Sequence, residues 1–345
     1  MHSTRRLPPD FSHSAAFPLF AFDAAGGRGW VLHFEPADYR RASFLDRRAL
    51  HHRDIPGWEV GLEEIEVALA DPAPAAALPP SRWIFHIGHC GSSLVSKLLD
   101  LLPGVLGLRE PLPLLALAHG AADPATARWL APTRRLLNRG FADTRAVVIK
   151  PTSVVTTLAA SLLDGHPDRA CLLWIDLRSW LATMLRDPGL RADTLATEPL
   201  RLAGFGTDEL PAADGDGPRL ARLWLAEQLR WQRLSTQPGL AGRLTHLDFA
   251  DVLADPVGAT AGLAAHFGLT VPEDWAQRIG GSGLLQRYAK DPEQAYDADA
   301  RTRELDAAAR AHALEIEAGL RWADSALPAE HAQSVLRRLD RTART

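Results

Sequence analysis

Residues 85–94 read Phe-His-Ile-Gly-His-Cys-Gly-Ser-Ser-Leu: an apolar run, two glycines three apart, then two adjacent serines. Gly88 and Gly91 allow a backbone to come close to a ligand, and Ser92 and Ser93 open an apolar-periodic stretch that predicts a helix over 92–101. A helix beginning there turns its first, unpaired N–H groups and its positive end toward the loop, which is the chemistry of an anion cradle. A plain serine N-cap is the other reading of the same residues. A nucleoside-triphosphate P-loop needs a longer loop and a lysine directly after its last glycine, whereas Gly91 is followed by Ser92. A phosphatase loop starting at Cys90 fails as well, because its closing arginine would fall on Ser96.

Two more residues have types suited to catalysis. Glu110, in Arg109-Glu110-Pro111, follows the first helix where the chain must return to the top of a sheet. Its plain reading is a surface glutamate paired with Arg109. Lys150 closes the apolar run 147–149 and emerges at the same edge. Of the 38 basic residues only Lys97, Lys150 and Lys290 are lysine, so a compact ammonium at these positions stands out against a background of arginine forks. Lys97, inside the first helix, reads as solvated or snorkelling, and His312, on a stripe with Leu305, Ala309, Ile316 and Leu320, as a boundary histidine.

The elements that must position these groups follow from periodicity. Strands are expected at 83–87, 146–149, 171–175 and 244–247, and helices near 60–69 and at 153–163, 179–186 and 220–234. Their alternation predicts an α/β fold, a parallel sheet with helices on both faces and its ligand site at the carboxyl ends of the strands. Residues 188–218 read as a loop-rich insertion and 301–338 as a mostly helical tail. The expected organisation is an N-terminal accessory region (1–70), a Pro/Ala linker (71–80), the α/β domain (81–300) and a helical C-terminal extension (301–345).

At 345 residues, 46% hydrophobic and 23% charged, the chain can bury a core without staples. Two distant cysteines give neither a disulfide framework nor zinc spacing, so no metal is expected and a reducing, cytoplasmic location is the default. The apolar stretch at 15–22 is too short and too interrupted for a signal peptide, and no run is long enough to span a bilayer. A net charge of −4 excludes a general nucleic-acid binder.

The run His89-Cys90-Gly91-Ser92-Ser93-Leu94 resembles the 5′-phosphosulfate loop of the sulfotransferases that use 3′-phosphoadenosine 5′-phosphosulfate (PAPS), with histidine for the usual basic residue and cysteine for serine. The segment Phe249-Ala250-Asp251-Val252-Leu253-Ala254-Asp255-Pro256 is similar to that family's late strand-to-helix motif, so the resemblance covers roughly 82–270. It implies a P-loop NTPase-like sulfotransferase fold and sulfuryl transfer from PAPS to a hydroxyl on a small-molecule or carbohydrate-type acceptor. Glu110 would be the general base, His89 would meet the leaving group, and Lys150 would contact sulfate or phosphate. The donor would be held by Gly88, His89, Cys90, Gly91, Ser92 and Ser93. Its 3′-phosphate would fall to Thr183, in the family's serine place, and to Arg178, because Ile175 stands where the family has arginine; Arg287 and Lys290 would close over it. The alternatives are a divergent P-loop enzyme of nucleotides or phosphate esters, and a non-catalytic protein that keeps the fold.

Overall fold

A computed structural model describes residues 6–46, 55–70, 79–289, 291–295 and 298–327. In the run Ser81–His86 (β4), Trp83, Ile84 and Phe85 are fully buried, as expected of a strand covered on both faces. It lies at the centre of a five-stranded parallel sheet with Val105–Arg109 (β5), Ala146–Lys150 (β6), Arg169–Trp174 (β7) and Leu244–Asp248 (β8). The order across the sheet is β5-β6-β4-β7-β8. The chain leaves β4 to one side and later crosses to the other, so a crevice opens beyond the carboxyl end of β4. The α/β expectation and all four expected strands are present.

β5 escapes the pattern reading because Gly107 interrupts its apolar run. A side chain at 107 would collide with the Asp100 carboxylate, which is held against that strand by its ion pair with Arg109. The N-terminal region builds a second, antiparallel sheet from Leu19–Asp23 (β1), Arg28–Leu32 (β2) and Gly57–Gly61 (β3). Val60 is therefore in a strand, and the helix expected from 60 is Leu62–Ala70. Segment 188–218 is loop only in part, over about 203–215. Asp187 caps a helix Pro188–Ala196, with its carboxylate accepting from the Leu190 N–H at 3.0 Å, and Glu198–Arg201 and the start of Asp216–Ser235 are helical too. The tail breaks at His312 into Ala298–Ala311 and Ala313–Ala326, so the expected single stripe is divided between two helices. Residues 328–345 lie outside the described residues.

Each face of the parallel sheet has its own core. Helices Ser92–Leu99, Leu177–Leu185, Asp216–Ser235 and Ala313–Ala326 cover one. On the other, Phe11, Phe34 and Tyr39 of the N-terminal region pack with Trp83, Phe85, Val147 and Ile149 of the sheet. Buried Arg109 ties the two parts together: its guanidinium donates to Ala42 O at 3.0 Å and to Tyr39 O, and its own carbonyl accepts from Leu45 N–H at 2.6 Å. The linker reading falls mostly on 71–78, outside the described residues. Among the described residues no helix is long and apolar enough to cross a membrane.

Candidate functional site

His86, the last residue of β4, organises the loop. Its Nδ1 accepts from Gly88 N–H at 3.1 Å, so its proton sits on Nε2, which donates to Pro151 O at 2.9 Å. Burial first, and then the Lys150 charge, hold its pKa well below the ordinary 6.5. The neutral ring thus joins the end of β4, the glycine turn and the segment after β6. Trp180, from the helix Leu177–Leu185, donates its indole N–H to Gly88 O at 2.9 Å and fixes the turn from the opposite side.

Gly91 has φ +78°, a left-handed conformation that glycine adopts without a steric cost. It is also the N-cap of Ser92–Leu99, and a Cβ there would fall inside the ring of Phe249. The two segments that carry the sequence resemblance are therefore in contact. The Ser92 and Ser93 N–H groups belong to the first turn of that helix and have no intrahelical acceptor. The Ser93 hydroxyl is buried with no hydrogen-bond partner, yet Ser93 lines the cavity in front of the loop. A buried orphan hydroxyl beside unpaired N–H groups fits an oxyanion.

That cavity has a volume of about 310 Å³. His89, Ser92 and Ser93 line it together with Glu110, Lys150 and Thr183. Among the described non-glycine residues only His89 and Glu110 have positive φ, each +53°. The left-handed region costs a side-chain-bearing residue on the order of 1–2 kcal/mol, and such strain concentrates where geometry serves a ligand. Glu110 extends the β5–β6 ladder by one bond, N–H to Lys150 O at 2.6 Å, before the chain bends into Pro111. Glu110 is only 7% exposed, and its carboxylate is gripped by Lys150, a residue 1% exposed whose ammonium lies 5.7 Å from the centre of the Phe44 ring. Arg109 turns away to Asp100, so the pairing of Glu110 with Arg109 does not occur.

Other expected residues stand elsewhere. The Cys90 side chain points into the core, its thiol donating to Leu173 O at 3.4 Å, and burial pushes its pKa up to about 12; it does not line the cavity. Arg178 also stays off the cavity wall, in an ion pair with Glu317 at 2.8 Å. Thr183 does line it, but its hydroxyl proton goes to Ser179 O at 2.9 Å. Arg287 lines it, and Lys290 lies outside the described residues. Lys97 is neither solvated nor snorkelling. It is 7% exposed and donates to Ser43 Oγ at 2.9 Å and Ala289 O at 2.7 Å. Sequence reasoning missed Ser153, Arg186 and Arg301 on the cavity wall. Only Arg186 carried a usable signal, three residues after Thr183 and so on the same helical face. Among the described residues no cluster of His, Cys, Asp and Glu is poised to hold a metal ion.

No family model matches the chain, and no curated protein matches it in sequence. Among solved structures it is similar to sulfotransferase STF9 from Mycobacterium avium, with 12% identity, 72% of this chain and 81% of that one covered, and a TM-score of 0.41. It is similar to the sulfotransferase domain from the curacin biosynthetic pathway at 12% identity, over 68% of this chain and 98% of that one, with a TM-score of 0.38. Mouse sulfotransferase SULT7A1 complexed with PAP is similar at 10% identity, over 72% and 86%, with a TM-score of 0.33.

Proposed function

We propose that the chain transfers a sulfuryl group from PAPS to a hydroxyl acceptor. The observation that carries this reading is the convergence on one cavity of an anion-type loop, with its orphan Ser93 hydroxyl, and a buried, lysine-held carboxylate on strained backbone. Sulfuryl transfer asks for in-line placement, a base for the acceptor proton and positive potential on the leaving oxygen. The donor supplies the sulfuryl group and, in its bridging oxygen, the leaving group. Glu110 takes the acceptor proton as the acceptor oxygen bonds to sulfur and the bridging S–O bond breaks. Lys150 fixes that carboxylate, a role that replaces direct contact with the donor. His89 and the N–H groups at the start of Ser92–Leu99 face the charge that collects on the departing bisphosphate.

The cations offered to a 3′-phosphate in this reading are Arg186, Arg287 and Arg301, which line the cavity, rather than Arg178. Calorimetry with adenosine 3′,5′-bisphosphate tests the donor: micromolar binding, with none for ATP, is expected, and the reverse preference overturns the reading in favour of a nucleotide enzyme. Glu110→Gln should keep bisphosphate binding while transfer to an acceptor drops by about 10²–10⁴-fold. Transfer that survives this change removes Glu110 as the base.

A further inference from the structure

Ser153 opens the 3-10 helix Ser153–Leu158 directly after β6 and lines the cavity facing the glycine turn; its Oγ would lie 3.1 Å from a Cβ placed on Gly88. The hydroxyl is not left to rotate. Arg201, from the short helix Glu198–Arg201, donates Nη2–H to Ser153 Oγ at 2.6 Å. The rest of that guanidinium is committed as well: Nε donates to Thr197 Oγ1 at 2.9 Å, and Nη1 to the Glu227 carboxylate at 3.0 Å. Arg230 shares Glu227 at 3.3 Å and donates to the Arg201 carbonyl at 2.5 Å. Arg201 is 4% exposed and Glu227 1%. Two guanidinium groups around one carboxylate leave this buried cluster with a net charge of +1.

A serine hydroxyl has one proton to give. An Oγ that accepts from Arg201 keeps that proton for another partner, and among the described residues none is found for it. The direction left to it is the cavity, beside the loop with the orphan Ser93 hydroxyl. A hydroxyl that accepts from a cation is also a better donor, because successive hydrogen bonds polarise one another. We propose that Arg201 is a positioning residue that acts through Ser153, orienting and polarising its hydroxyl as a donor to the bridging or non-bridging oxygens of a two-centre oxyanion held by the Gly88–Ser93 loop. This rests on the sulfuryl-transfer reading only for the identity of that anion. The relay lets a buried arginine that does not itself line the cavity act on the anion held by the Gly88–Ser93 loop.

Inorganic pyrophosphate, which has two bridged oxyanion centres, is the probe, measured by calorimetry on the full chain. Ser153→Ala and Arg201→Met should each weaken it by about 10–150-fold, in keeping with one lost hydrogen bond to a charged group. The double variant should be no weaker than either single one, because both remove the same donor. Ser153→Thr should restore most of the affinity. Arg201→Lys keeps the charge but cannot hold Thr197, Glu227 and Ser153 at once, and should fall between wild type and Arg201→Met; it also serves if Arg201→Met does not fold. Binding by Ser153→Ala within twofold of wild type, or losses that multiply in the double variant, overturns the proposal. Pyrophosphate binding that depends on Ser153, without binding of adenosine 3′,5′-bisphosphate, upholds this inference and removes PAPS as the donor.

Discussion

His86 bridges three segments only as the neutral Nε2–H tautomer, since a proton on Nδ1 would oppose the Gly88 N–H that points at it. Its pKa is lower in the fold than in the unfolded chain. As pH falls below the ordinary 6.5, the unfolded chain takes up a proton that the folded ring refuses, so stability declines with acidification; above 6.5 this residue contributes no slope. Urea unfolding of wild type and His86→Asn at about pH 5 and pH 7 isolates the effect from the other histidines. The wild type should lose more stability on acidification than the variant, and parallel losses would show that this ring does not carry the slope. The residue types at the site were readable because serine, glycine and glutamate announce their chemistry. The direction in which Arg178 and Cys90 point was not, because each is turned by a tertiary neighbour far along the chain, Glu317 for Arg178 and Leu173 for Cys90; Thr183 instead bonds back to Ser179 of its own helix.

The glycine turn and the helix it feeds act as one element with Phe249. Gly91→Ala adds a methyl group inside that ring and forces a left-handed alanine, so a loss of about 2–4 kcal/mol is expected from denaturant unfolding. Phe249→Leu in the same chain should return the steric part and leave the backbone part; a Gly91→Ala loss that Phe249→Leu does not reduce would place the cost wholly in the backbone. The strand, turn and helix at 81–99 could be read because their signals are local. β5 and the helix Pro188–Ala196 could not be read as easily. The first hides a glycine that makes room for Asp100, and the second depends on a cap at Asp187 inside a segment rich in turn-forming residues.

Across the whole molecule Lys97 is a strut that joins the N-terminal region, through Ser43, to the segment before the two C-terminal helices, through Ala289. Burial first, and then the Arg109 charge, bring its pKa from 10.5 down to about 8. Between those values the unfolded chain binds the proton and the folded chain releases it, so the contribution of Lys97 to stability rises with pH across that window, by on the order of 3 kcal/mol. The buried thiols Cys90 and Cys171, whose pKa values burial raises, pull stability the other way over the same range, so Lys97→Met should fall more steeply with pH than wild type in urea unfolding; parallel curves would show that Lys97 carries no part of the slope. The fold class and the sheet edge holding the site were legible; the union of accessory region and sheet in one shared core was not, because Arg109 and Lys97 read as ordinary surface cations.

Scarce lysine has a practical consequence. The ε-amino groups of Lys97 and Lys150 are both sequestered, one beneath the cavity rim and one behind the Glu110 carboxylate. Acylating reagents that mark amines therefore meet these two positions only when the cavity region opens. The rate at which each becomes labelled, read by peptide mass spectrometry, is a footprint of that opening in which the many arginines stay silent.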